Sequence, residues 1–143
     1  MNELLVKRLN EQLVSEYEAV FNYLYHSTKV KNDEIRKAME DFSRDELEHA
    51  RMLISYIIRL GGEPVFMMPK VNQEQDEVQV LIYSIAAEES AVKMYTMVQQ
   101  IIDDVEGREI IGRTIRMEEE HHRKLEEILN KVKEFYKGKR GAK

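Results

Sequence analysis

Cysteine is absent from this chain, which excludes disulfides, thiolate metal sites and cysteine nucleophiles together. Tryptophan is absent too, and only two prolines and six glycines punctuate 143 residues. So little turn chemistry, beside 34% charged and 43% hydrophobic residues, fits long amphipathic helices. No apolar run approaches the roughly 18 residues that a membrane span needs, and the opening MNELLVKRLNEQ lacks the pattern of a signal peptide. The expectation is a soluble, cytoplasmic protein with no membrane partner. A net charge of −5 without a basic face argues against nucleic acid as principal partner. The length suits one domain with a single well-filled core.

Apolar residues recur at spacings of three and four in four long segments, which predicts an all-α protein. Segment A runs from about Glu3 to Lys31, with Leu5, Leu9, Leu13, Val20 and Leu24 inward. Asn32-Asp33 offers a turn and an N-cap for segment B, which reaches about Leu60 with Met39, Phe42, Leu53 and Ile57 inward. Gly61-Gly62 is a strong stop. Segment C spans about Glu74 to Asp104 on Val78, Leu81, Ile85 and Val92. After a break at Val105-Glu106-Gly107, segment D runs from about Arg108 to Tyr136 on Ile111, Ile115, Leu125, Ile128 and Val132. The bundle is expected over residues 1–137, with 138–143 as a basic tail that frays.

Short A–B and C–D breaks predict two antiparallel hairpins. Between B and C lie about thirteen residues with Pro64 and Pro69. At about 3.3 Å each they reach roughly 43 Å, while a helix of about 28 residues is roughly 42 Å long. The linker can therefore cross the whole bundle and make B and C parallel.

The two halves of the chain carry one constellation twice. Glu16 precedes Glu46-x-x-His49, and Glu88 precedes Glu118-x-x-His121, each position mapping onto its twin by adding 72. Tyr23 and Tyr95 repeat with them. Helical spacing sets every one of these acids and imidazoles on an otherwise apolar stripe, with no lysine or arginine beside them. An unpaired buried carboxylate costs several kcal/mol, and a domain is stable by only about 5–15 kcal/mol. Two divalent cations would cancel the four negative charges. Four carboxylates and two imidazoles from four helices form the ligand set of a dinuclear site in a bundle. Hard oxygen donors with one imidazole per ion suit iron or manganese. Near-twofold repetition suggests two equivalent ions that change oxidation state together.

Other residues carry less. Glutamate is common enough that one Glu-x-x-His means little, and His122 has one as well, through Glu119. Leu125 fits the stripe with His121 rather than His122. His26 reads as a surface or satisfied histidine, and Met67 and Met68 as packing. Tyr23 and Tyr95 either pack with bonded hydroxyls or assist the metals as supporting or electron-donating groups.

At these residues the chain resembles the ferritin-like di-iron carboxylate superfamily, particularly its bacterioferritin and rubrerythrin branches. Glu16-Tyr17-Glu18-Ala19-Val20-Phe21-Asn22-Tyr23 is similar to the first-helix motif of bacterioferritins, Asp45-Glu46-Leu47-Glu48-His49-Ala50 to the second, and Glu118-Glu119-Glu120-His121 with Leu125 to the fourth. The resemblance implies a ferritin-like up-down four-helix bundle with a long B–C crossover. It also implies bridging roles for Glu46 and Glu118, terminal roles for Glu16 and Glu88, and one ion each on His49 and His121. Leu47 stands where haem-binding members carry methionine, so haem is not expected. Ala91 stands where rubrerythrins carry an additional glutamate, and a rubredoxin domain has no cysteines here to form it. The resemblance therefore implies two iron ions per chain, or manganese, and an oxidoreductase that reduces peroxide or O₂ with Fe²⁺ or an external electron donor. An iron-storage cage subunit and a dimanganese catalase-like enzyme are the alternatives. A homo-oligomer follows from the resemblance, and the lack of a fifth helix favours a dimer.

Overall fold

A computed structural model describes residues 2–74 and 76–141, without the side chains of the last two. Four helices make up its regular structure: α1 (Glu3–Lys29), α2 (Asp33–Arg59), α3 (Glu77–Gln100) and α4 (Val105–Gly141). Asn2, Asn32 and Asp76 cap the first three, their side-chain oxygens accepting from Leu5, Ile35 and Val78 at 3.1, 3.0 and 3.0 Å. Helix α2 stops on a glycine pair. Gly61 takes φ 85°, and the amides of Gly61 and Gly62 donate back to the carbonyls of Ile58 and Ile57, both at 2.9 Å. Only glycine enters that left-handed turn without strain.

The directions of the helices follow from their cross-links. The Tyr23 hydroxyl of α1 donates to Glu88 of α3, and Tyr95 of α3 donates to Glu16 of α1, so the order reverses and the pair is antiparallel. Glu34 pairs with Lys131 at one end of α2–α4 and Arg59 with Glu106 at the other; that pair is antiparallel too. With the hairpin of α3 and α4, this makes α2 and α3 parallel. The crossover expected from its length is present. It runs along α1 in the direction of that helix. Asn10 accepts from the Val65 amide at 2.8 Å, Tyr17 donates to the Val65 carbonyl at 2.8 Å, and Asn22 accepts from the Asn72 amide at 2.7 Å.

Several boundaries differ from those read in the sequence. Helix α3 begins at Glu77 rather than near Glu74 and ends at Gln100 rather than near Asp104. Val105-Glu106-Gly107 is the first turn of α4 rather than a break. The Asp104 carboxylate explains the latter, because it accepts from the Gly107 amide at 2.7 Å and so caps the helix. Helix α4 continues through Gly141, past the end near Tyr136 expected of segment D; positions 142 and 143 of the expected tail lie outside the described residues. Leu24 is exposed rather than inward, and Val78, Ile85, Val92 and Ile115 are only half-buried. Met67 and Met68 do not pack inward; with Phe66 they leave the crossover apolar and exposed. His26 is buried rather than at the surface, and that burial pushes its pKa down. Among the described residues no helix is long and apolar enough to cross a membrane.

Gly107 has a second reason to be glycine. A β-carbon there would meet the Tyr56 hydroxyl, Asp104 Oδ1 at 2.8 Å and Ile102 Cγ2 at 2.9 Å. Tyr56 donates to Asp104 Oδ1 at 2.8 Å and ties α2 to the start of α4. Alanine would gain about 1 kcal/mol in helix propensity. It would also crowd the turn, at about 1–3 kcal/mol, and break a partly buried bond to a carboxylate, at about 1.5–3 kcal/mol. Gly107→Ala is therefore expected to lower the melting temperature in a calorimetric scan, and an unchanged or higher value would contradict this account.

The core is split. One apolar cluster holds Leu5, Leu9, Leu13, Leu53, Ile57, Tyr95, Val98 and Ile111. The other holds Tyr23, Ile35, Met39, Phe42, Leu81, Leu125, Ile128 and Val132. The doubled constellation occupies the level between them.

Candidate metal centre

All six acids and imidazoles of the repeat converge. Glu16, Glu46, Glu88 and Glu118 are at most 2% exposed, His49 5% and His121 4%. Both imidazoles present Nδ1 to the carboxylates. From His49 Nδ1 it is 3.1 Å to Glu118, 3.4 Å to Glu46 and 3.7 Å to Glu16. From His121 Nδ1 it is 3.1 Å to Glu46, 3.5 Å to Glu88 and 3.6 Å to Glu118. The ring centroids are 6.4 Å apart. Donor atoms fall into two overlapping groups: Glu16, Glu46, His49 and Glu118, and Glu46, Glu88, Glu118 and His121. Glu46 and Glu118 belong to both, as carboxylates shared between two ions would.

The donor set fits cations better than it fits itself. Glu16 Oε2, Glu46 Oε1, Glu88 Oε2, both oxygens of Glu118 and Nδ1 of each histidine are buried without a hydrogen-bond partner among the described residues. So many orphaned lone pairs aimed into one space are costly in a native core unless something positive binds them. The electrostatics agree. Burial, then the charge of Glu16, pushes the carboxyls of Glu46 and Glu118 well above the usual carboxylate range. Burial pushes both imidazoles down, but the carboxylates outweigh it and the net direction is up, through Glu118, Glu16 and Glu46 for His49 and chiefly Glu88 for His121. Protons stand here where divalent ions can, so the cluster can hold a dinuclear metal site.

Tyr23 and Tyr95 bind the cluster from opposite helices. Tyr23 donates to Glu88 Oε1 at 2.5 Å and Tyr95 to Glu16 Oε1 at 2.7 Å. Burial and these carboxylates push both phenols well above their ordinary pKa, so they stay protonated and donate. Each fixes one oxygen of a glutamate, while the other, Glu88 Oε2 or Glu16 Oε2, is buried without a hydrogen-bond partner among the described residues. His122 does not join. It sits half-buried between Glu89, 2.8 Å from Nε2, and Glu126, 3.0 Å from Nδ1.

Two features escaped the sequence. Asp45 Oδ2 lies 2.8 Å from Nε2 of His121, a contact between α2 and α4 that neither helix's periodicity could reveal. Its only signal was a position directly before Glu46. A cleft of about 180 Å³ between α1 and α3 reaches Glu16, Glu46, Glu88 and Glu118, walled by Ala19, Asn22, Ser84, Ala87 and Ala91. Small side chains, two of them the twins Ala19 and Ala91, leave room there for a molecule of a few atoms.

The family model described as Ferritin-like domain matches residues 6–135. Among curated relatives, a "Probable manganese catalase" of Clostridium acetobutylicum is 26% identical over 82% of this chain. The chain spans 65% of that relative's length. Among solved structures, a ferritin-like di-iron carboxylate protein of Bacillus anthracis superposes with a TM-score of 0.84, at 26% identity, over 90% of this chain and 99% of that one. A dodecameric thioferritin, the bacterioferritin-related protein of Bacteroides fragilis, gives a TM-score of 0.88 at 21% identity, over 95% and 90%.

Proposed function

The chain belongs to the ferritin-like domain family, and on that premise we propose that it is a di-iron carboxylate oxidoreductase. It reduces peroxide or O₂ with electrons from Fe²⁺ or an external donor. The observation that carries this reading is the pair of overlapping donor groups that share Glu46 and Glu118. Glu16, Glu46, Glu88 and Glu118 with His49 and His121 would hold the two ions. Two redox-active ions would supply the two electrons that cleavage of an O–O bond takes.

The protein's own part is positioning. Four carboxylates neutralise two divalent ions, and the hydroxyls of Tyr23 and Tyr95 hold the glutamates Glu88 and Glu16 in place. Two apolar clusters close the site from above and below. The cleft of about 180 Å³ beside Ala19 and Ala91 has room for O₂ or peroxide. Manganese in place of iron is the second reading, favoured by the catalase relative, of which this chain covers only part. Exposed Phe66, Met67 and Met68 on the crossover supply apolar surface for self-association, in keeping with a homo-oligomer. A dimer, rather than a storage cage, is the form we propose.

Metal analysis of protein from iron-supplemented medium is expected to give about two ions per chain, and native chromatography a mass near twice 17.0 kDa. Stopped-flow mixing of the anaerobic reduced protein with H₂O₂, and separately with O₂, tests the chemistry. Oxidation faster with equimolar O₂ would replace the peroxidase reading by ferroxidation, and an assembly of hundreds of kilodaltons would favour storage.

A further inference from the structure

The repeat that builds the centre is broken at one place. The tyrosine braces obey it, with Tyr23 on Glu88 and Tyr95 on Glu16. The histidine braces do not. His121 turns Nδ1 to the carboxylates while its Nε2 lies 2.8 Å from Asp45 Oδ2. Adding 72 to Asp45 gives Met117. The antiparallel register of α2 and α4 that sets Asp45 opposite His121 sets Met117 opposite His49. Met117 is 36% exposed and Asp45 has a side-chain exposure of 39%, so the two positions are alike in depth and differ in chemistry. Nε2 of His49 is buried and has no hydrogen-bond partner among the described residues.

A carboxylate on the remote nitrogen of a ligating imidazole does two things. It fixes the tautomer, so that the lone pair faces the metal, and it raises the basicity of that lone pair. A thioether is at best a weak acceptor and does neither well. The buried N–H of His49, left unpaired when Nδ1 binds a cation, is destabilising by itself. Removing such a carboxylate typically lowers metal affinity by about 10–100-fold.

We propose that the two halves of the centre are unequal, with Asp45 acting as a positioning residue that makes the His121 half load first and the His49 half second. The inference rests on the dinuclear reading above. It departs from the equivalence of the two ions that the repeat alone suggests. A centre of this kind has a defined half-loaded state, with one cation held beside His121 and the His49 half open to exchange.

The test uses the full chain, freed of metal with EDTA and supplied anaerobically with Co²⁺. Mutual repulsion of two cations weakens the second binding step even in a symmetric site, so the location of the first ion decides. At one equivalent of Co²⁺, anomalous diffraction is expected to show the His121 half occupied at least about tenfold over the His49 half. Asp45→Asn should remove that preference, and Met117→Asp, at an exposed position, should bring the two occupancies together by strengthening the His49 half. Calorimetric titration should show the first step weakened by about 10–100-fold in Asp45→Asn and the second strengthened in Met117→Asp. Even occupancy in the unmodified chain, a preference for the His49 half, or an unchanged preference in both variants would overturn the proposal while two ions still bind at saturation. Saturation below two ions per chain would instead overturn the dinuclear reading, and this inference with it.

Discussion

Glu46→Gln is expected to raise the melting temperature of the metal-free protein and to remove its capacity to hold two divalent ions. The two effects share a cause. Glu46 is 1% exposed, stands in both donor groups, and has its carboxyl pushed up by burial first and by Glu16 second. Without cations the fold keeps a proton on it that the unfolded chain releases near pH 4.3, and holding that proton at neutral pH is destabilising. Glutamine keeps the shape and needs no proton. Each pH unit over which the fold alone holds the proton is worth about 1.4 kcal/mol. Because the amide must still find partners, roughly 1–2 kcal/mol is the expected gain.

Metal reverses the order. At a free concentration about 100 times its Kd, a ligand that binds only the folded state adds about 2.7 kcal/mol per site. The unmodified chain gains this at both halves. The variant has lost a donor common to both, and its three remaining glutamates no longer balance two divalent ions. Its affinity should fall by more than the 10–100-fold typical of a lost outer partner. Melting curves in EDTA and in excess Mn²⁺ should therefore cross, the variant higher without metal and lower with it. A metal-free variant that melts below the unmodified protein would mean that the Glu46 carboxylate supports the fold through bonds that glutamine cannot copy.

This opposition between folding and binding is also why the centre was legible in the sequence. A glutamate on an apolar stripe has few tolerable explanations, and four of them repeating at one interval have fewer. The crossover was legible for a comparably hard reason, since its reach and the helix length had to match. Softer signals misled. Gly107 outweighed Asp104 in the reading of a break, although an aspartate three residues before a glycine amide caps a helix well. Reading Met67 and Met68 as packing rests on hydrophobicity, which says nothing about whether a partner element covers the crossover. Asp45 and the cleft were beyond reach for another reason. A helix's periodicity reports its own faces, whereas the Asp45–His121 contact and the gap beside Ala91 are properties of two helices in register.

The stability of the metal-free protein should fall as pH rises from about 5 to 8, and that of the metal-loaded protein should not. In the unfolded chain a glutamate releases its proton near 4.3 and a histidine near 6.5. In the fold, the Glu46 and Glu118 carboxyls are raised by burial and then by Glu16. Above about pH 4.3 the native state therefore holds protons the unfolded chain has lost, and stability declines with pH. His49 and His121 are also raised, their carboxylate neighbours outweighing burial. Their contribution is fully present below about 6.5 and is lost as pH climbs through the folded values. All four groups act in one direction across this window. His26, lowered by burial, opposes them alone, gaining stability as pH rises through about 6.5. The Asp104 carboxylate, held down by the Tyr56 hydroxyl, acts only near and below pH 4. Cations replace protons at the same atoms, so metal affinity rises with pH and offsets the loss. Thermal unfolding at pH 5, 6, 7 and 8, in EDTA and in excess Mn²⁺, should show two curves that diverge upward in pH, with the metal-free melting temperature falling by several degrees. A metal-free curve that is flat or rising between pH 5 and 8 would mean that these buried glutamates and histidines do not hold the protons that the ions displace.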